Sequence, residues 1–530
     1  MKRRTFLATL PTAALSAAAP PPRPATSRPN LIFLLCDDLQ AFVPGFSGNR
    51  EFKTPNLDRL ASQGVVFDRC YANSAICMPA RATAMTGLYE YRHGCNFGRP
   101  GLSPEAWRNR SYPMLLKRAG YRIAFAGKWG MQFREPYDPS ADFDRWGGLE
   151  GGQGFYETAK NPAMKSYADR FPHVTRALGA FAADFIGASI SDPRPFCLSL
   201  SFKAPHKPHN RVDPADAKLY ENAAFSKRPN YGDPFFERLP PQPGLGRQRA
   251  QWPEWDPTHY QEHLRAYAAL VSGIDAAVCM IVEKLDALGL RDNTVIVFTS
   301  DNGYALGSHG FQGKALPYEE QSRIPLFVVD PHGAKGRRCD RLVAGIDFAP
   351  TLLDYAGLPA PAGTDGKSLR SLVRDPAAPA PHAAIPIFQN WGPARSDLNK
   401  GLAVVTERYK YVYWPYGNPD VPPAEELYDL RADPCETDEL LRADKASPET
   451  LEEMRKLYDR VVLDIAARPS RGYETLAKLY DRHLPWNEKS FNGPDGRFLT
   501  PELYRRVVGK EPPEGLFPDR KKKRKKTLAP

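Results

Sequence analysis

Two adjacent pairs of oxygen-bearing residues, Asp37-Asp38 and Asp301-Asn302, each close a short apolar run. Three carboxylates and one amide are the donor set of a hard divalent cation, Ca2+ or Mg2+, and not of a thiophilic metal. Either pair alone reads better as a cap on a following helix; two such pairs favour a shared metal site. In "SAICMPARATAMTG", residues 74–87, Cys77 opens a stretch that reads as a helix, with Arg81 one turn on. A structural thiol needs neither neighbour, whereas a nucleophile that meets an anion gains from both a helix N-terminus and a guanidinium. Lys128 in "AGKWG" and Lys314 in "FQGKALPYEE" are candidate anion ligands. His206 in "APHKP" could protonate a leaving oxygen near neutral pH, and His209 competes for that role. Taken singly, such lysines are usually solvated charges and such histidines polar filler.

The elements that must position these groups alternate. "PNLIFLLCDD", "RIAFAGKW", "PFCLSLSFKAPHKPH", "NTVIVFTSDNG" and "IPLFVVD" read as buried strands. "TPNLDRLASQG", with Thr54 as N-cap, Pro55 at the first helical position and Gly64 as stop, reads as a helix, as do "SYPMLLKRAG", residues 257–288 and "DFAPTLLDYAG". The pattern predicts an α/β fold: a mixed, mostly parallel central sheet with helices on both faces. Ligands of such sheets bind at the carboxyl ends of the strands, and Asp37, Asp38, Lys128, His206 and Asp301 all fall there. After residue 375 the aromatic "GLAVVTERYKYVYWPY" and the helical "SPETLEEMRKLYDRVVLDIAARP" predict a smaller antiparallel sheet with a helix. The expected division is 27–375 for the catalytic α/β domain, 376–500 for the C-terminal α+β subdomain and 501–530 for a basic tail.

The 530-residue chain carries a net charge of +11, but "KRR" at residues 2–4 and "KKKRKK" at residues 521–526 supply nine positive charges. The body is nearly balanced, which argues against nucleic acid as a partner. The basic tail could hold the protein near a polyanion or simply stay solvated. "MKRRTFLATLPTAALSAAAPPPRPA" is similar to a twin-arginine export signal with a proline-rich linker over residues 1–26. That predicts an exported bacterial protein, periplasmic or extracellular, without a transmembrane anchor. The eight cysteines lack C-x-x-C spacing, so neither a zinc site nor a dense disulfide framework is expected.

The motif "C-M-P-A-R" followed by "T-G" resembles the signature of type I sulfatases, the formylglycine-dependent branch of the alkaline phosphatase superfamily. "PNLIFLLCDDL", "KTPNLDRLASQGVVF", "GKW", "APHKP", "SDNGYALGSHG", "GKALPYEEQSRIPL" and "ELYDLRADPCE" are similar to family segments in family order, over roughly residues 29–440. The resemblance implies an alkaline-phosphatase-like fold and a sulfuric ester hydrolase. It implies that Cys77 is oxidised to formylglycine (3-oxoalanine) by a formylglycine-generating or radical maturase enzyme, and that Arg81 stabilises it. Asp37, Asp38, Asp301, Asn302 and the modified Cys77 would hold Ca2+, with Mg2+ as the other hard cation; Lys128, His206 and Lys314 would hold the sulfate. One hydroxyl of the hydrated aldehyde would attack sulfur, and the other would expel sulfate.

Two positions depart from the family pattern. Gly130 stands where the family has a histidine after "GKW", so proton handling is expected of His309, between Asp301 and Lys314, or of His209. Cys36 precedes the aspartates and reads as packing, not as a ligand. The substrate expected is a sulfated glycan, with Trp107, Trp252, Trp255 and Trp391 either stacking on sugar rings or packing. The alternatives are a phosphomonoester or phosphonate hydrolase of the same superfamily, or a binding protein that has lost turnover.

Overall fold

The computed structural model describes residues 28–97, 101–389, 400–414, 421, 423–468 and 511. The export segment, Trp391, most of the chain beyond 468 and the basic tail lie outside the described residues.

Strand β1 (Asn30–Asp37) shows why the sheet must be covered on both sides. Leu31, Phe33 and Leu35 enter one apolar cluster and Ile32, Leu34 and Cys36 the other. Its neighbours in sequence are β2 (Val65–Phe67), β3 (Cys70–Tyr71), β4 (Arg122–Gly127), β5 (Arg145–Gly148), β6 (Phe196–Pro205) and β7 (Thr294–Ser300). There follow β8 (Arg323–Ile324), β9 (Leu326–Val329), β10 (Arg337–Cys339) and β11 (Val343–Ala344). Eight of these form the main sheet in the order β10-β2-β9-β7-β1-β6-β4-β5, and β11-β3-β8 form a small one. Main-sheet pairing is antiparallel on both sides of β9 and parallel elsewhere. This is the mixed, mostly parallel α/β sheet expected from the alternation of elements.

Helices Val174–Ala188 and Tyr260–Ala287 pack on one face; Cys77–Thr86, Tyr112–Arg118 and Phe348–Tyr355 cover the other. Among the described residues, Tyr260–Ala287 is the one helix long and apolar enough to cross a membrane. Leu270, Val271, Ile274, Val278 and Ile281 bury its apolar side in the core, so that composition serves the interior. Helix Pro55–Ala61 begins at the expected proline, but Thr54 does not cap it with its side chain. The Thr54 hydroxyl instead donates to Asp58 at 3.0 Å and accepts from the Gly45 amide at 2.8 Å.

The C-terminal sheet is antiparallel in the order β12 (Ile385–Gln389), β13 (Gly401–Val405), β14 (Tyr409–Trp414), β15 (Ala424–Asp429). Helix Pro448–Ala467 starts at Ser447, whose hydroxyl accepts from the Thr450 amide, with proline at the first position. Met454, Tyr458, Val462 and Ile465 recur at helical spacing and meet Tyr411, Tyr413 and Leu427 on one face of the sheet. The other face packs Val412, Trp414 and Tyr428 against Leu316 and Tyr318, on the loop that carries Lys314.

A buried charge network fastens that contact. Lys410 is fully buried, with Nζ 2.8 Å from Glu319 and 2.8 Å from Glu436, and it donates to the Pro317 carbonyl at 2.8 Å. Arg323 lies 3.4 Å from Glu319 and Arg228 3.0 Å from Glu320, so three cations face three carboxylates. Removing one partner of a buried pair strands the other. Lys410→Met is therefore expected to cost about 3–5 kcal/mol in equilibrium urea unfolding; a loss near zero would show that the carboxylates simply protonate.

Candidate active site

Strands β7, β1, β6 and β4 are consecutive neighbours, and their carboxyl ends deliver Asp301-Asn302, Asp37-Asp38, His206 and Lys128 to one place. Successive side chains of a strand point to opposite faces, yet both Asp37 and Asp38 face this site. The reason is local: Asp38 has φ 70, a left-handed conformation that ends the strand and turns its carboxylate inward. Gly127 permits the approach of β4 to β6, because a Cβ there would lie 1.8 Å from the Ser201 carbonyl oxygen. The Lys128 amide then donates to that carbonyl at 2.8 Å. Cys77 is the first residue of helix Cys77–Thr86 and is buried, as is Arg81 one turn on.

The charges are tightly interleaved. Lys128 pairs with Asp37, and Lys314 pairs with Asp38. Lys314 Nζ also lies 3.6 Å from Asp37 and 2.8 Å from Cys77 Sγ. Arg81 reaches Asp301 at 2.8 Å and Asp37 at 3.7 Å, donates to the Lys128 carbonyl at 2.8 Å and bonds Ser201 Oγ. Arg81 thus braces the carboxylates and the strand end instead of facing an incoming anion. Burial favours the neutral acid, but Lys128, His206, Lys314 and Arg81 outweigh it and hold Asp37 well below the usual carboxylate range. Burial raises Asp38 and, with the charge of Asp37, pushes Asp301 up to about 7. Burial opposes the charge of Lys314, but Asp38, Cys77 and Asp37 keep it charged well above its ordinary range.

Three buried oxygens, Asp37 Oδ1, Asp38 Oδ2 and Asn302 Oδ1, have no hydrogen-bond partner, and Asp301 Oδ2 beside them is held by Arg81 at 2.8 Å. An unsatisfied buried acceptor costs about 1–3 kcal/mol, more when charged, and here three come together. Ligand oxygens of Asp37, Asp38 and Asp301 lie within 4.8 Å of one another. Oxygens bound about 2.4 Å from one Ca2+ can be separated by no more than about twice that. These three aspartates, with Asn302 donating through Nδ2 to Asp38 at 2.6 Å, supply the all-oxygen surroundings that a hard divalent cation takes.

Cys77 itself is not primed as a thiolate. Burial pushes its thiol up; Lys128 and Lys314 oppose this, and Asp37 and Asp301 reinforce it. His206 is the histidine that reaches the centre: Asp37, Cys77 and His206 offer atoms within 4.8 Å, and Nε2 lies 3.9 Å from Asp38. Its Nδ1 is 2.7 Å from the Lys207 carbonyl, and Tyr156 Oη donates to the His206 carbonyl at 2.5 Å. Burial holds the imidazole well below its ordinary pKa.

The two histidines expected to replace the missing one do not join this group. His309 bonds Asn230 at 3.0 Å, stacks on Tyr318 and faces Glu320 at 4.0 Å, and burial lowers it to about 4. His209 packs edge-on against Trp255, Tyr267 and Tyr304, and burial lowers it to about 3. Trp107, Trp252 and Trp255 are interior residues with at most 7% exposure, so of the two readings packing holds for these three and sugar stacking does not. Lys203 was not singled out from sequence. It is buried near the end of β6, 5.4 Å over the Tyr156 ring, and burial lowers its pKa against the pull of Asp37. A lysine inside the apolar run "LSLSFKAP" was the available signal.

The Sulfatase family matches residues 29–358, and the N-sulphoglucosamine sulphohydrolase C-terminal family matches residues 307–462. An N-acetylglucosamine-6-O-sulfatase of Bacteroides thetaiotaomicron is 28% identical over 86% of this chain and 92% of its own length. A solved complex with the substrate D-glucosamine-2-N,6-O-disulfate superposes with a TM-score of 0.67 at 25% identity, covering 82% of this chain and 97% of the other. A phosphonate monoester hydrolase of Agrobacterium radiobacter shares the fold, with a TM-score of 0.63 at 23% identity over 82% and 95% of the two chains.

Gly130 has φ +65, and a Cβ there would lie 2.8 Å from Arg81 Cδ and 3.4 Å from Lys128 Cε. A side chain at this position would press on the brace itself. Gly289, with φ +62 and open space around it, isolates the backbone contribution. Gly289→Ala is expected to cost about 1 kcal/mol. Gly130→Ala should cost a further 1–3 kcal/mol or so from overlap, read by urea unfolding of both variants. Equal losses would mean that Arg81 yields freely.

Proposed function

We propose that this chain, which belongs to the sulfatase family and is a sulfuric ester hydrolase, removes sulfate from a glycan using residue 77 in its formylglycine form and a divalent cation on Asp37, Asp38, Asp301 and Asn302. The observation that carries this reading is the buried cluster of Asp37, Asp38 and Asp301, whose ligand oxygens lie within 4.8 Å of one another, beside Cys77 with Lys314 2.8 Å from its sulfur. Ca2+ suits an all-oxygen set of this kind. The glycan assignment draws on relatives described as acting on glucosamine sulfates. For the N-terminal segment we propose twin-arginine export after residue 77 is oxidised, and for the domain boundary the neighbourhood of residue 376.

When bound, the cation polarises the sulfate and the formylglycine hydrate supplies the attacking oxygen. The protein's own groups do the rest. Lys314 stands over residue 77 and keeps its charge there, and Lys128 adds a second charge beside Asp37, so oxygens that gain charge during transfer meet fixed cations. Arg81 keeps Asp301 and Asp37 in place. His206 is locked through Nδ1 to the Lys207 carbonyl, so its neutral form presents a lone pair at Nε2. Nε2 is thus placed to take the proton that the attacking hydroxyl would lose and to pass it to the leaving oxygen.

The decisive experiment uses protein from its own host. The tryptic peptide "CYANSAICMPAR" should show an aldehyde in place of the Cys77 thiol, and sulfate esters should be cleaved with higher kcat/KM than phosphate esters of the same alcohol. A free thiol on exported protein would remove the nucleophile, and a preference for phosphate would favour the phosphomonoester or phosphonate reading. Independently of turnover, Asp38→Asn is expected to weaken Ca2+ binding by roughly tenfold or more in titration calorimetry; unchanged affinity would place the cation elsewhere.

A further inference from the structure

Strand β6 carries one more cation, Lys203, to the same strand ends, and two anchors on that strand fix where it stands. The Ser201 carbonyl accepts from the Lys128 amide at 2.8 Å, and the Ser201 hydroxyl bonds Arg81. Pro205 is paired with Asp37, and Ser201 with Leu35, across an irregular step of the β1–β6 ladder. Lys203 lies midway between Ser201 and Pro205, on a strand flanked on either side by a neighbour about 4.8 Å away. Its carbonyl accepts from the His206 amide at 2.9 Å, so the turn that presents His206 is closed on Lys203 itself.

The ammonium is located by Tyr156. Lys203 Nζ lies 5.4 Å from the centre of that ring, and Tyr156 Oη donates to the His206 carbonyl at 2.5 Å. One ring thus joins the head of the lysine to the histidine that reaches the centre. Lys203 is 5% exposed, and its ammonium makes no hydrogen bond or ion pair with any described residue. An ammonium carries three donors, and a ring face does not take the place of an anion. A buried charge in that state is costly. Nor do the carboxylates of the centre need it, because Asp301, Asp37 and Asp38 already face Arg81, Lys128 and Lys314. Lys203 is the cation left over, and the group it lacks is an anion.

We propose that Lys203 is a further substrate-binding residue, whose ammonium takes an oxygen of the sulfate group beside His206. The inference rests on the sulfatase reading of this site and deepens it. Charge-assisted hydrogen bonds of this kind are about twice as strong as neutral ones. The assignment also has a consequence that plain packing lacks. Replacing a lone buried charge by an apolar chain of similar length relieves the fold, whereas the anion loses a ligand. Stability and anion affinity then move apart.

The test uses Ca2+-loaded protein from its own host, with inorganic sulfate, the product, as the probe. Lys203→Met should weaken sulfate binding in titration calorimetry by about tenfold or more. Its urea midpoint should stay where it is or rise. Lys203→Arg should keep more of the affinity than Lys203→Met. Equal affinity in the unaltered and Lys203→Met proteins, or no sulfate binding by the unaltered protein, would overturn the assignment. So would a lowered urea midpoint, which would make the lysine a support of the fold. Release of sulfate from esters by the unaltered protein separates the two readings. Release with an affinity indifferent to Lys203→Met sinks only the Lys203 contact, whereas Lys203-dependent binding without release sinks only hydrolysis.

Discussion

Everything at the centre depends on one electrostatic constraint: Asp37 must remain ionised where water does not reach. A lone buried carboxylate would take up a proton. Asp37 escapes this because Lys128, Lys314 and Arg81 come to it from three different directions in the chain. Lys128 arrives at the end of a strand, Arg81 one turn into a helix and Lys314 on a long loop. Each needs its own scaffold. Gly127 lets β4 close against Ser201, Gly130 leaves room for the Arg81 side chain, and the C-terminal sheet backs the Lys314 loop through Lys410. A domain of this size is held to one arrangement because moving any scaffold leaves a buried charge without its partner.

The C-terminal sheet therefore contributes more than area. Its β14 supplies Lys410, and the loop after β15 supplies Glu436, which meets Glu319 just downstream of Lys314. The Glu319 amide donates to Glu436 at 2.7 Å, so backbone and side chain are fixed together. His309, Asn230 and Glu320 belong to this second network, and the histidine is there a neutral packing group against Tyr318. Two buried charge clusters thus flank the same loop, one built for chemistry and one for support.

Much of this was legible in the sequence for a simple reason. Buried strands of a parallel sheet are written as apolar runs, and their carboxyl ends are where such a sheet exposes polar groups. Asp37, Lys128, His206 and Asp301 were located that way, and adjacency in the sheet then brought them together. What the sequence hid was the path of loops. His309 lies between Asp301 and Lys314 along the chain, but positive φ values at Leu306, Gly307, His309, Gly310 and Gly313 coil the segment and direct His309 to Asn230. The tryptophans were left open between stacking and packing because loop positions carry no periodicity to decide it, whereas Trp107 and Trp255 fill the interior. Gly130 gave no sign of its purpose, since a clash with Arg81 is visible only once helix and strand are in place.

The state of Cys77 follows from the same charges. The helix N-terminus and two lysines should favour a thiolate, but burial and the carboxylates of Asp37 and Asp301 prevail and the thiol stays protonated. A site that needed a thiolate would not place it against two aspartates. The proposed oxygen nucleophile does not depend on ionising a thiol, and the proposed cation among these carboxylates would add positive charge beside it. With three side-chain cations set against three carboxylates, a divalent ion leaves the centre with two positive charges in excess. That excess matches a sulfate dianion as it forms, and it is neutralised by what the reaction creates, not by what the protein already holds. With the proposed cation bound, Asp37, Asp38 and Asp301 would form the acidic half of an anion site whose basic half is Arg81, Lys128 and Lys314.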